Sequence, residues 1–284
     1  MYSFLIYRFG QFLALALPLR VGYSIAIFSA KLQYLFSRKD RLVVYGNLRA
    51  IFPDKDEKEI AVLAKMVFVN FAKYLVDFFR FEKLDKKFLS EKIKVVGREN
   101  LDNALKGDKG VIALTAHLGN YELGGAVISL LGYRFNAVAL DHKNRLVNDF
   151  FVGQRVRTGV KVIPLGSALR RCYEALSRGE VLALAGDRDF SNHGIVTEFF
   201  GKKTLIPKGP AAFYVKAGAS IVPGFLIRMP YDTFELRFEK PILYEVTGDI
   251  ETDEKKVTDL CVEVIEDYIK RYPSQWYMFR RFWL

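Results

Sequence analysis

Residues 111–131 read VIALTAHLGNYELGGAVISLL, and their reading decides the fold class. Val111–Thr115 is an unbroken run that is apolar up to its last residue and does not alternate. A strand of that kind is buried on both faces of its sheet. A helix is predicted over Leu118–Leu131, so the strand feeds almost directly into it, as in the first half of a β-α-β unit. The pattern repeats on either side of this stretch. Strands are predicted at Ile93–Val96, Phe135–Leu140, Val160–Pro164, Val181–Ala185, Ser220–Ile227 and Thr233–Phe238. Between and after them, helices are predicted at Glu99–Lys106, Asn144–Thr158, Ala168–Ser177, Lys208–Ala217 and Glu254–Tyr272. Such alternation predicts an α/β fold: a mixed, mainly parallel sheet flanked by helices. Apolar residues make up 51% of the 284 positions, which supplies a large core and excludes a disordered chain.

The first 80 residues have a different character. Asp56 and Glu59 fit a capping box opening a helix that runs to Phe79, and a shorter helix is predicted at Arg41–Ile51. Before them, residues 3–36 read SFLIYRFGQFLALALPLRVGYSIAIFSAKLQYLF. Neither uncharged stretch here approaches the ~18–20 residues a spanning helix requires. Joined, they would place Arg20 mid-membrane, at a cost of roughly 3 kcal/mol on insertion scales. Arg20 also interrupts the apolar region that a cleaved signal would need. The expectation is a membrane-associating helical hairpin lying in the interface, peripheral or monotopic, with a single-pass anchor as the alternative. Residues 1–52 are accordingly read as N-terminal membrane-associating helices and 53–284 as the α/β domain.

Charge agrees with that division. The chain carries a net +11, with seven basic residues against one acid in residues 1–50, and Arg271, Arg280 and Arg281 with no acid in the last fourteen. The remainder is nearly neutral. Basic residues here punctuate apolar and aromatic runs, which suits an anionic lipid surface better than nucleic acid, and no nucleic-acid partner is expected. Cys172 and Cys261 have no metal-ligand spacing and are expected to be reduced. No metal site, Walker loop, G-x-S-x-G elbow or dinucleotide fingerprint is present.

Three histidines remain. His117 stands at a strand-to-helix junction, where ligands bind in open α/β sheets. Five residues on, Glu122 could fix the imidazole tautomer and stabilise the imidazolium formed when the other nitrogen takes a proton. Chance alone gives roughly 0.3 H-x4-[DE] matches in this composition, yet two occur, His193 with Glu198 being the second. His193 is read as a surface or substrate-rim residue in a polar loop, and His142 as solvated in a turn. From spacing alone, a structural role for His117 is as good as a catalytic one.

Further segments carry a resemblance. TAHLGNYELGG (115–125) resembles the first motif of the lysophospholipid acyltransferase superfamily. More specifically, it is similar to the late lipid A biosynthesis acyltransferases and their relatives that acylate phosphatidylinositol mannosides. LALPLR and NLRAIFP resemble the membrane-proximal start of that family. RLVNDFFVGQRVRTG resembles its arginine motif, RGEVLALAGDRDF its D-x-D segment and YPSQWYMFRRFW its C-terminal signature. The run EFFGKKTLIPKGPAAFYVKAGASIVPGF resembles its FFG…GPA…GA…VP segment. The resemblance implies direct transfer of an acyl chain from an acyl carrier protein or coenzyme A thioester to a glycolipid hydroxyl, with no cofactor, metal or acyl-enzyme. It implies His117 as general base and Glu122 as its orienting partner. Arg155, and next to it Arg157, would bind an anionic group or hold the dyad, and Asp187 and Asp189 would form the D-x-D pair, Asp187 as an acceptor-site or a structural carboxylate. Phe199, Phe200, Gly201, Lys208, Gly209 and Pro210 would line the groove, or equally form a tight turn with two core Phe. Where the lipid A enzymes often have Gln or His, this chain has Arg188. That cation suits a phosphorylated acceptor, or pairs with a neighbouring Asp. The implied location is the cytoplasmic face of the inner membrane. A lipid-binding protein that kept the fold without catalysis is the competing class.

Overall fold

A computed structural model describes residues 2–190 and 193–284. The chain begins with four helices: α1 (Tyr2–Ala16), α2 (Leu19–Phe36), α3 (Arg38–Ile51) and α4 (Glu57–Phe79). There follow α5 (Lys86–Lys92), β1 (Ile93–Val96), α6 (Arg98–Ala104), β2 (Val111–Thr115), α7 (Tyr121–Leu130), β3 (Phe135–Ala139), α8 (Arg145–Arg157), β4 (Lys161–Pro164), α9 (Ala168–Ser177) and β5 (Val181–Ala185). The last third holds β6 (Ile195–Phe199), β7 (Lys202–Ile206), α10 (Gly209–Ala217), β8 (Ser220–Arg228), β9 (Phe234–Phe238) and α11 (Ile250–Arg271).

Seven strands form one sheet in the order β1-β9-β8-β2-β5-β3-β4. Every neighbouring pair is parallel except β8 and β9, so the sheet is mixed and mainly parallel. The central strand β2 explains its own lack of alternation. Ile112 and Leu114 pack with α9, α10 and α11 on one face, while Val111 and Ala113 pack with α6, α7 and α8 on the other. All four are buried, and truncating such a leucine or isoleucine costs about 2–5 kcal/mol.

The expected capping box of α4 is present: Asp56 Oδ1 accepts from the Glu59 N–H at 2.7 Å, and Glu59 Oε2 accepts from the Asp56 N–H at 3.1 Å. Helices α2, α3 and α4 share an apolar cluster around Leu48, Ile60, Val67 and Phe68, which also takes in Tyr277 from the C-terminus. Pro18 separates α1 from α2. Among the described residues no helix is long and apolar enough to cross a membrane, which leaves the single-pass anchor without a helix to make it.

Two local expectations need correction. Residues 195–206, expected as a polar loop at their start, form an antiparallel hairpin of β6 and β7, with Thr197 and Phe199 facing inward and Val196 and Glu198 outward. Its turn uses Phe200 (φ 51°) and Gly201 (φ 68°), both left-handed, the backbone of a tight hairpin turn. Helix α7 starts at Tyr121, three residues later than expected. Gly119 (φ 64°) lies so close to the Leu226 carbonyl that a Cβ would sit 2.1 Å from its oxygen, and Asn120 caps the helix through Leu123 N–H. His117 therefore lies in a fixed loop between strand and helix.

Candidate active site

Strand register builds the centre of the site. β2 and β5 are adjacent and parallel, with Thr115 opposite Ala185. Two residues past each partner, at the carboxyl end of the sheet, come His117 and Asp187. Gly186 N–H extends the ladder to Thr115 O at 2.8 Å. Asp187 Oδ1 lies 2.7 Å from His117 Nδ1, and its Oδ2 accepts from the His117 backbone N–H at 3.0 Å and from Trp276 Nε1 at 3.1 Å. Asp187 is fully buried. Burial alone would push its carboxyl up; His117, Arg188 and the Trp276 N–H outweigh this and hold it at about 2. A carboxylate in this position fixes the imidazole and leaves Nε2 for substrate. The imidazole keeps 17% of its surface exposed, and Tyr121 meets it edge to face at 5.1 Å.

The expected partner, Glu122, does not hold His117. It is clamped by Arg155, with Arg155 Nε donating to Oε2 at 2.8 Å and Nη2 to Oε1 at 2.5 Å. A helical residue one turn beyond a loop histidine faces α8, and a bidentate guanidinium is its better partner there. The two side chains are 12–13% exposed, so this is a nearly buried ion pair joining α7 to α8. Asp187, expected as an acceptor-site or a structural carboxylate, takes the orienting position.

Several other candidates separate in the same way. Arg157 points away, pairing with Glu82 at 3.0 Å on the surface. Phe199 is fully buried among Phe200, Trp276 and Phe282, Phe200 and Gly201 form the hairpin turn, and none of the three lines either of the two cavities beside His117. Their FFG run is core plus turn. Arg188, Asp189, Lys208, Gly209 and Pro210 do line the site. His142 stands at its edge, 4.6 Å from the Phe151 ring centroid, and its imidazole is shifted down by burial and then by Arg155. His193 is exposed and lines neither cavity.

Two cavities meet at His117. One, of about 450 Å³, runs under α7 between the sheet and α8, past Ala113, Ala137, Ala183, Gly124, Gly125 and Ile128 to Phe135. Small residues make this room: a Cβ on Gly125 would lie 2.9 Å from the Phe135 ring. The other cavity, of about 390 Å³, opens toward the N-terminal helices. Phe71, Tyr277 and Phe279 give it aromatic walls, and Gln33, Asp40 and Arg280 give it polar groups. Among the described residues, only His117, Tyr121 and Arg188 border both.

A buried polar network supports the histidine loop from behind. Asn120 Nδ2 donates to Asp77 Oδ2 at 2.7 Å, Tyr23 donates to Asp77 Oδ1 at 2.5 Å, and Arg228 pairs with the same carboxylate. Burial pushes the Asp77 carboxyl up, against the pull of Arg228. The C-terminal signature closes the site from the front. Gln275 exchanges two hydrogen bonds with the Arg228 backbone, and the Tyr277 N–H donates to His117 O at 2.9 Å. Asn47 on α3 and Asn70 on α4 donate to carbonyls of this terminal segment. Sequence reasoning gave no role to Asp77, Asn120, Tyr121 or Trp276. The one available signal was the terminal motif YPSQWYMFRRFW itself.

Comparison with known proteins places the whole chain in one family. The family described as "Bacterial lipid A biosynthesis acyltransferase" matches residues 1–284. A phosphatidylinositol mannoside acyltransferase of Mycolicibacterium smegmatis is 26% identical over 251 residues, covering 87% of this chain and 78% of that protein. The counterpart in Mycobacterium tuberculosis is 26% identical over 221 residues, 76% of this chain and 68% of that protein. A lipid A biosynthesis palmitoleoyltransferase of Escherichia coli is 26% identical over 256 residues, 87% of this chain and 80% of that protein. With the whole chain matched, it belongs to the bacterial lipid A biosynthesis acyltransferase family and is an acyltransferase.

Proposed function

We propose that this protein transfers a fatty acyl chain from an acyl carrier protein or coenzyme A thioester to a hydroxyl of a glycolipid, a lipid A precursor. The observation that carries the reading is His117, oriented through Nδ1 by buried Asp187 where two cavities meet. The acyl chain lies in the cavity under α7 and the acceptor headgroup in the one that opens toward the N-terminal helices. His117 Nε2 takes the hydroxyl proton as the oxygen attacks the thioester carbonyl, and Asp187 stabilises the resulting imidazolium. Collapse of the adduct breaks the C–S bond, and the proton passes from His117 to the departing thiolate. No resident metal or cofactor is required. Glu122 and Arg155 act as a unit that fixes the wall of the cavity under α7 beside His117.

The acceptor has a second reading, a phosphatidylinositol mannoside, because relatives with that activity match at the same 26% identity as the Escherichia coli lipid A enzyme.

The protein is proposed to work on the cytoplasmic face of the inner membrane, held peripherally by anionic lipids. Supporting this, α1 leaves Leu5, Phe9 and Phe12 exposed on one stripe, and α2 leaves Val21, Ile25, Phe28, Leu32 and Leu35 on another. Arg8, Arg20, Lys31, Arg38 and Lys39 lie within or just beyond these helices to meet headgroups.

The decisive test is His117→Ala. It should lose acyl transfer while keeping its thermal transition and vesicle binding. Retained turnover would end the mechanism. Mass spectrometry of lipids from a deletion strain then identifies the acceptor: lipid A short of one acyl chain is expected, and intact lipid A excludes that acceptor.

A further inference from the structure

Acyl transfer at His117 needs something to hold the negative charge that develops on the thioester carbonyl oxygen. Backbone N–H groups usually do this, but four of those around His117 are occupied. His117 N–H donates to Asp187, Gly119 N–H to Gln275 O at 2.9 Å, Asn120 N–H to Leu226 O at 2.7 Å and Gly186 N–H to Thr115 O. The Trp276 indole N–H is also spent on Asp187. Nearby cations are mostly committed. Arg155 is clamped by Glu122. Arg280 donates to Asp189 O at 2.9 Å and lies over the Phe190 ring.

Arg188 differs from both. It borders both cavities together with His117 and Tyr121. Its Nη2 is fixed on the Tyr277 carbonyl, which anchors the guanidinium to the segment closing the site. Among the described residues no carboxylate pairs with it within 4.0 Å, and its Nε is buried without an acceptor. Buried donors without acceptors are costly and rare, and one next to a substrate cavity suits an oxygen supplied by the substrate. The acyl carbonyl must sit where the two cavities join, since the chain extends one way and the acceptor the other. That place is bounded by His117, Tyr121 and Arg188.

We propose that Arg188 is a catalytic residue whose guanidinium donates to the thioester carbonyl oxygen and stabilises the oxyanion of the tetrahedral adduct. As the acceptor oxygen bonds to the carbonyl carbon and its proton moves to His117, the carbonyl π pair moves onto the oxygen facing Arg188. That pair returns as the C–S bond breaks and the thiolate leaves with the proton from His117. Charge is thus matched throughout: the imidazolium against Asp187, the oxyanion against Arg188. This role for Arg188 rests on the acyl-transfer reading of the site.

The test uses the full-length protein in detergent, palmitoyl-coenzyme A as donor and a purified glycolipid acceptor. Arg188→Gln should lower kcat by about 10²–10³-fold, the usual loss of an oxyanion donor. KM for donor and acceptor should stay within about threefold, and Arg188→Lys should recover part of kcat. Should the Gln variant melt before assay, the Lys variant decides alone, with kcat expected at least tenfold down at unchanged KM. A wild-type kcat with a raised acceptor KM would make Arg188 an acceptor-binding cation and overturn the proposal. So would a kcat loss in Tyr121→Phe that Arg188→Gln does not share. His117→Ala is measured in parallel. Turnover there removes the acyl-transfer reading itself, whereas a dead His117→Ala beside a fast Arg188→Gln removes only the role of Arg188.

Discussion

Asp187→Asn changes one atom, and the surrounding hydrogen bonds dictate its effect. Asp187 Oδ2 faces two donors, the His117 backbone N–H at 3.0 Å and the Trp276 indole N–H at 3.1 Å. An asparagine there must turn its carbonyl oxygen to those two and place its NH2 where Oδ1 now meets His117 Nδ1. Nδ1 is then forced to accept, the ring proton moves to Nε2, and the base is in the tautomer that cannot take a hydroxyl proton. The opposite amide orientation restores the tautomer but confronts two buried N–H groups with an NH2. At about 1–3 kcal/mol for each unsatisfied buried donor, that orientation lies roughly 2–6 kcal/mol higher. The competent state is therefore populated at about one part in 30 to one in 10⁴, and kcat should fall by the same factor. Steady-state acyl transfer with saturating donor and acceptor measures it, with thermal unfolding followed in parallel. The same carboxylate, held at about 2 in the fold, supplies about 2 kcal/mol of stability that is complete above pH ~4 and lost as pH falls toward 2. The Asn variant should lack that part of the acid limb. A kcat within threefold of wild type would refute the tautomer argument, and with it the assignment of Asp187 as the orienting group.

The cavity under α7 and the N-terminal helices can each be perturbed separately. Gly125→Ala brings a Cβ to 2.9 Å from Phe135, so the ring must shift, and both residues line the cavity under α7. Helix propensity, worth about 1 kcal/mol, offsets much of the 1–3 kcal/mol of overpacking, so the protein should stay folded. Its activity should shift toward shorter acyl donors, as a panel of acyl-coenzyme A substrates would reveal, and an unchanged chain-length profile would place the chain elsewhere. Phe12 and Phe28 are each 64% exposed. Replacing both with Glu should leave the melting temperature nearly unchanged, yet weaken binding to phosphatidylglycerol vesicles by tenfold or more, since each buried Phe contributes about 1.5–3 kcal/mol. Equal sedimentation of variant and wild type with vesicles would argue against this docking face.

Much of the sheet was legible because parallel strands covered on both faces are continuous apolar runs. Val111–Thr115 and Val181–Ala185 are found at their expected bounds. The β6–β7 hairpin was hidden because its turn is Phe-Gly rather than Asn-Gly, and its outward Glu and Lys residues read as loop. His117 was legible as a candidate, whereas its partner was not. H-x4-E spacing pointed to Glu122, and only the order of strands in the sheet shows that β5 lies beside β2. Sequence periodicity determines which face of a strand is buried, not which strand is its neighbour. Once Thr115 is known to pair with Ala185, equal offsets from the two strand ends bring His117 and Asp187 together.

In the N-terminal helices, the features that suit a lipid surface are built onto the elements that hold the active site. Tyr23 on α2 and Asn120 in the histidine loop bind the two oxygens of one buried carboxylate, Asp77 on α4. Asn47 and Asn70 hold the terminal segment that carries Trp276 and Tyr277 onto Asp187 and His117. Gln33 and Asp40 help wall the cavity that opens toward these helices. Removing α1–α3 would therefore do more than free the body from a membrane. It would strip the Tyr23 hydroxyl from Asp77, leave Met278 O and Arg280 O without the Asn47 donor, and open one side of the cavity next to His117. Buried polar groups that lose one partner cost more than the pair contributed. Activity should thus be lost on truncation even when soluble substrates make membrane contact unnecessary, whereas the Phe12 and Phe28 substitutions, which touch none of these bonds, should spare it.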